Sequence, residues 1–234
     1  MLRRALNWSG RVAAKLYAGG LLQMDVRRHA PLPPGARIVA ANHPTTTDPF
    51  LLMGLIPEAM SVLITDSCFK VPLLGGFLRG AGHVPVVDGN GRAAFEAARA
   101  LLERGGTVGI VPEGALSPLE GGLCPLHTGV ARLALCTGAP VIPVGIGLRR
   151  EGIYFRTAEI DGVTEHARFY LRGPYAVTVG EPLSFTGDVA DRAHVRAVAH
   201  EIARGIAQLA QESAHRLQAQ GSFRRARTRV APCS

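Results

Sequence analysis

Residues 39–52 read VAANHPTTTDPFLL, an apolar run that stops on Asn42-His43 and reaches Asp48 five residues later, just before Pro49. The run leading into it, RIVAA over 37–41, is β-branched and apolar in the manner of a buried strand. Pro49 suits the first turn of a helix, with Thr47 or Asp48 as its cap. Residues 42–48 therefore read as a strand-to-helix turn, and a turn holding three threonines can fold Asp48 back towards His43. A carboxylate at a helix N-terminus is stabilised as an anion. Beside an imidazole it fixes the ring tautomer and stabilises the imidazolium, which is the arrangement of a general base. The other reading is a polar turn that happens to contain a histidine.

The same strand-and-helix alternation continues outward. Short β-branched runs occur at 37–41, 61–65, 83–87, 107–111 and 140–147. Helical patterns lie between them, clearest in GRAAFEAARALLERGG (91–106), which stops on Gly105-Gly106, and again over 126–137. Such alternation predicts an α/β fold with a largely parallel central sheet flanked by helices. After Gly152 the pattern turns to strand-like pieces, IYFRTAEI, ARFYLR and YAVTVG, and then to a long C-terminal helix over roughly 188–218. Residues 1–22 interleave Leu2, Leu6, Trp8, Val12, Leu16 and Tyr17 with arginines at helical spacing. That segment reads as a basic amphipathic helix lying in a membrane interface, or as a helix packed on the protein's own surface. The expected organisation is a membrane-contact segment over 1–30, one catalytic domain over 31–218 and a basic tail over 219–234.

A second histidine–aspartate pair has the spacing of the first, His83 and Asp88 in HVPVVD. In an extended segment, side chains five apart point to opposite faces and lie about 16 Å apart. That pair is therefore not expected to cooperate.

The 234 residues are 47% hydrophobic and 19% charged, enough apolar material for one sizeable core. The net charge of +8 gathers at the ends, on Arg3, Arg4, Arg11 and Lys15 and on Arg224, Arg225, Arg227 and Arg229. Basic ends suit an anionic membrane surface or nucleic acid. With 6% aromatic residues, no stacking aromatics at regular spacing and no reader motif, nucleic acid is not the expected partner. The four cysteines, Cys68, Cys124, Cys136 and Cys233, form no C-x-x-C pair, so no metal is expected and reduced thiols in a cytoplasmic protein are. The longest apolar window, VARLALCTGAPVIPVGIGL, is broken by Arg132, Pro140 and Pro143, so no membrane span is expected.

NHPTTTD resembles the N-H-x-x-x-x-D block of the glycerolipid acyltransferases, the 1-acylglycerol-3-phosphate acyltransferases and their bacterial relatives. The resemblance continues in order. KVPLLGGFLRGAGHVPVVDGNGR is similar to the family's second block, VPEGALS to its F-P-E-G-T-R-S block, and PLHTGVARLALCTGAPVIPVGI to the segment ending in the fourth. VTVGEPL resembles a common late strand, so the likeness covers about residues 30–184. It implies that His43 is the catalytic base and Asp48 its partner, that Glu113 binds the acceptor, and that N–H groups beside Gly114 polarise the carbonyl. A base poised near neutrality is what a hydroxyl needs to attack a thioester, and no G-x-S-x-G elbow supplies a covalent alternative.

The departures fall on arginines. Where the family has its phosphate-contacting arginines, this chain has Leu116 and Gly89, and Ala115 stands for the preceding threonine. A bidentate arginine–phosphate contact is not replaced by leucine. Arg92, Arg79 or the Arg149-Arg150 pair are the candidates to compensate. The resemblance thus implies an O-acyltransferase that needs no cofactor beyond its co-substrate, acyl-ACP (acyl carrier protein) or acyl-CoA (coenzyme A). The acceptor would be a lysophospholipid-like or other lipid, met at the anionic inner face of the cell membrane by a peripheral cytoplasmic protein. A non-catalytic, membrane-associated lipid-binding protein on the same fold is the alternative.

Overall fold

The computed structural model describes residues 2–160 and 163–229, without the side chains of Arg4, Ala158, Ile160, Val163, Glu165 and 220–229. The arginines of the expected basic tail lie outside the described side chains. A seven-stranded sheet forms the centre, with strands β1 (Met24–Arg28), β2 (Arg37–Ala41), β3 (Met60–Thr65), β4 (Val84–Val86), β5 (Thr107–Ile110), β6 (Val141–Leu148) and β9 (Tyr175–Val179). Its order is β1-β9-β6-β2-β5-β3-β4. The five strands from β6 to β4 run parallel, while β9 is antiparallel to β6 and parallel to β1. The sheet is largely parallel, as the alternation predicts.

β2 is the pivot of this order. The chain builds outward from it through β3, β4 and β5 on one side, then crosses to β6 on the other. Ligands of open α/β sheets gather where the order reverses, beyond the carboxyl ends of the strands. All five residues of β2 are buried, because apolar layers cover both faces. One layer includes Val39, Ala41, Leu52, Met53, Leu78 and Tyr175. The other includes Ile38, Ala40, Leu102, Leu133, Val198 and Ile202.

The helices are α1 (Leu2–Gly20), α2 (Asp48–Met53), α3 (Asp66–Lys70), α4 (Leu74–Ala81), α5 (Gly91–Glu103), α6 (Gly129–Thr137) and α7 (Arg192–Arg229). α7 begins four residues later than the periodicity suggests, after Asp191, whose carboxylate accepts the N–H groups of Ala193 and His194. β7 (Ile153–Ile160) and β8 (Val163–Tyr170) form a separate antiparallel hairpin outside the main sheet.

The N-terminal segment joins the body of the protein at two places. β1 falls inside the segment expected over 1–30, yet it is an edge strand of the main sheet. MDVRR carries too little apolar alternation to be recognised alone. α1 is also part of the same body. Asn7, 4% exposed, donates to the carbonyls of Met60 and Ala81 at 3.3 Å each. Gly10 lies under the Phe77 ring and Gly80 under Leu6, so α1 and α4 approach closely through small residues. Among the described residues no helix is long and apolar enough to cross a membrane.

Candidate active site

The turn after β2 folds back as its threonines allow. His43 Nδ1 lies 3.3 Å from Asp48 Oδ2, with the histidine side chain 17% exposed and the aspartate fully buried. Asp48 is the first residue of α2, and Thr47 occupies the cap position without a side-chain cap bond. The carboxylate accepts the Thr45 N–H at 2.6 Å and the Thr45 hydroxyl at 2.5 Å. A third donor arrives from two strands along the sheet, where Tyr175 OH on β9 donates to Oδ1 at 2.8 Å. With both oxygens accepting from these donors, the imidazole completes the set by offering Nδ1–H, which leaves Nε2 as the basic nitrogen.

Burial, followed by the Asp48 charge beside it, holds the Tyr175 hydroxyl well above its ordinary range. It therefore stays protonated and remains a donor. Tyr170 packs on it with ring centroids 6.1 Å apart, and Tyr17 of α1 donates to the Tyr170 carbonyl. Burial, then the Asp48 charge, raises the Tyr17 hydroxyl as well. The end of α1 is thus built into the layer directly behind the histidine–aspartate pair.

The stretch after β5 closes onto the same turn. Ser117 N–H donates to the His43 carbonyl at 2.8 Å, and His43 N–H is shared between Ser117 Oγ at 2.8 Å and Glu113 Oε1 at 3.0 Å. Glu113, 3% exposed, also accepts the Ser117 hydroxyl at 2.6 Å and the Cys124 N–H at 2.7 Å. The glutamate expected at the acceptor is instead turned into the protein, where it holds the histidine's backbone. Gly114 has φ +65°, and a Cβ there would lie 2.8 Å from the His127 ring. Asn42 fixes the other side, its amide pairing with the Ile146 carbonyl at 3.0 Å and N–H at 2.7 Å. Thus β2, β5 and β6 all converge on one histidine.

Arg79 and Arg92 are not drawn in. Arg79 donates to the Phe69 carbonyl at 3.0 Å. Arg92 is exposed at the start of α5, behind edge strand β4 and three strands away from β2. The arginine that does reach the turn comes from β8. Arg168 Nη1 donates to the Ser117 carbonyl at 2.6 Å, and its backbone exchanges bonds with Thr46, N–H to Oγ1 at 3.1 Å and carbonyl from N–H at 2.8 Å. No local signal in ARFYLR marks it. Tyr175 is equally hidden, since its partner lies 127 residues away.

His83 stands apart, as its strand geometry predicts. It is 5% exposed, its Nδ1 accepts the Val62 N–H at 3.1 Å, and Asp88 is exposed.

The family described as Acyltransferase matches residues 23–147, more than half of the 234. This chain belongs to the acyltransferase family. The 1-acyl-sn-glycerol-3-phosphate acyltransferase of Cocos nucifera is 32% identical over 111 residues, 46% of this chain and 36% of that one. Its namesake from Limnanthes alba is 31% identical over 111 residues, again 46% of this chain and 39% of the relative. The matches thus span well under half of the plant proteins. Among solved structures, the 1-acyl-sn-glycerophosphate (LPA) acyltransferase PlsC from Thermotoga maritima superposes with a TM-score of 0.59 at 22% identity, covering 88% of this chain and 79% of that one. That likeness speaks for the fold.

Proposed function

We propose that the chain is an O-acyltransferase that moves a fatty acyl group from a thioester to a hydroxyl of a lysophospholipid-like acceptor. The observation that carries this reading is the His43–Asp48 contact of 3.3 Å at the end of the central strand, with the carboxylate saturated by donors. Nε2 of His43 takes the acceptor's proton as the hydroxyl oxygen attacks the thioester carbonyl, and Asp48 stabilises the imidazolium that forms. The tetrahedral intermediate then expels the thiolate, and the imidazolium proton neutralises it. The donor is an acyl carrier protein or coenzyme A thioester, and no further cofactor takes part.

The relatives are named for activity on 1-acyl-sn-glycerol 3-phosphate, which supports the acceptor class. Exposed Leu2, Trp8 and Leu16 on α1 support work at a membrane surface, at the inner leaflet in this reading. The test is thiol release from an acyl thioester in the presence of lysolipids. His43→Ala is expected to lower kcat by at least about a thousandfold, and Asp48→Asn by roughly a hundredfold or more. Thiol release undiminished in His43→Ala would overturn the proposal.

A further inference from the structure

The structure assigns a phosphate-ester site to the cavity beside the His43 turn, with Arg150 and Arg168 as its anion-holding residues. The cavity is about 320 Å³ and lies between the end of β6, the 117–122 loop, the β7–β8 hairpin and α7. Asn42 and Pro44, the neighbours of His43 on either side, line it. Its far wall is apolar, with Ile146, Leu148, Ala207 and Ala210. A site of this make-up fits a ligand with a small anionic head and a hydrocarbon body.

The two arginines supply the charge. Arg168 is half-buried and fixed, since its backbone is tied to Thr46 and one guanidinium nitrogen to the Ser117 carbonyl at 2.6 Å. A guanidinium has five N–H donors. Among the described residues, no carboxylate pairs with Arg168 or with Arg150. Arg150 reaches the cavity past Gly121, where a Cβ would stand 3.2 Å from its Nη2 and the φ of +99° suits only glycine. Glu120, exposed at the rim, is the one acidic lining residue, so the lining carries a net charge of +1 from Arg150, Arg168 and Glu120. Two unpaired cations beside one cavity repel each other, and a phosphate bridging them removes the repulsion while matching the planar fork of each.

The site is also correctly placed. Ser117 receives Arg168 on its carbonyl and the His43 N–H on its hydroxyl, so one residue separates the anion site from the base. A headgroup in which phosphate and hydroxyl are close neighbours spans that gap. The inference rests on the acyl-transfer reading for its reaction. The guanidinia come from the hairpin and the turn before it rather than from positions 89 and 116, where the family resemblance places them.

The experiment compares Arg150→Gln, Arg168→Gln and Arg168→Lys in the full chain on a 1-acylglycerol 3-phosphate and on an uncharged monoacylglycerol. Each substitution is expected to raise KM for the phosphorylated acceptor by about tenfold or more, and to raise it far more than the KM for the neutral acceptor. Arg104→Gln, an exposed residue just before β5 at the other end of the sheet, serves as the unaffected control. Glu120→Gln is expected to lower the same KM. A rise in KM for the thioester donor instead would give the site to the donor's phosphate. Unchanged KM for both substrates in Arg150→Gln, whose side chain is exposed, would overturn the assignment. Calorimetry with glycerol 3-phosphate separates the two readings. If no acceptor is acylated but both glutamine variants lose binding, the anion site stands and the acyltransferase reading falls.

Discussion

At the scale of single residues, the Tyr175 hydroxyl is the sharpest lever on the His43–Asp48 pair, because it touches the carboxylate and nothing that reacts. Tyr175→Phe keeps the buried ring and removes only the donor at 2.8 Å. A hydrogen bond to a charged group contributes about 1.5–3 kcal/mol. The expected result is a fall in kcat of roughly tenfold or more with KM nearly unchanged, read by steady-state kinetics beside a melting curve. His43 and Asp48 were legible in the sequence because strand, turn and helix cap are local. Tyr175 and Arg168 were not, since each depends on chain folding back over more than a hundred residues. His83 makes a separate prediction. Burial, then the nearby Arg3, lowers its pKa from 6.5 to about 4. Between those values the unfolded chain binds a proton that the folded chain does not. Stability is therefore full above pH 6.5 and declines as pH falls towards 4, at up to about 1.4 kcal/mol per pH unit. His83→Gln, which keeps an acceptor for the Val62 N–H, should flatten that part of a urea-stability profile relative to the parent.

At the scale of elements, the glycines of PVIPVGIG show how a helix is seated. α7 crosses β6 so closely that a Cβ on Gly145 would lie 2.0 Å from the Leu209 carbonyl carbon and 2.1 Å from the Ala210 nitrogen. Both obstacles are backbone and give way only if α7 moves. Ser213 reinforces the contact by donating to the Gly145 carbonyl at 2.9 Å. Gly145→Ala is expected to cost about 1–3 kcal/mol, measured as a lower urea midpoint. Gly76 is the opposite case. It is exposed inside α4 and a Cβ there meets nothing within 4 Å. Gly76→Ala should stabilise by about 0.5–1 kcal/mol through helix propensity alone. The alternation of runs and helices reveals the parallel strands because each is an apolar block on a fully covered sheet. It does not reveal that YAVTV returns antiparallel to β6 while IYFRTAEI and its partner leave the sheet, because both read as β-branched segments and only tertiary packing separates them.

At the scale of the whole molecule, the N-terminal helix has two unlike sides. Asn7, Ala14 and Ala18 of α1 are buried against the body, and Leu22 just beyond it is fully covered. The other side presents Leu2 at 71%, Trp8 at 64% and Leu16 at 71% exposure, with Ala5 between them. A helix that served only as packing would turn polar residues outward. The contacts of Leu6 with Gly80 and Gly10 with Phe77 run antiparallel, which brings Leu73 level with the last turns of α1. Leu73 is 93% exposed at φ +64°, an uncommon conformation for a branched side chain that costs about 1–2 kcal/mol. Lys15 and half-buried Arg11 flank the same patch. These features fit insertion of an apolar face into an anionic leaflet. Because Tyr17 ties that helix to the layer behind Asp48, insertion would set the His43 turn at a fixed height above the lipid. Deleting residues 1–22 would test this poorly, since it also removes core side chains. The cleaner experiment is Trp8→Gln with Leu16→Gln, which changes two mostly exposed side chains and leaves the buried face of α1 in place. The pair should weaken sedimentation with phosphatidylglycerol-containing vesicles by about tenfold or more and leave the melting temperature unchanged. Equal binding by parent and variant would mean that α1 presents its leucines to something other than lipid.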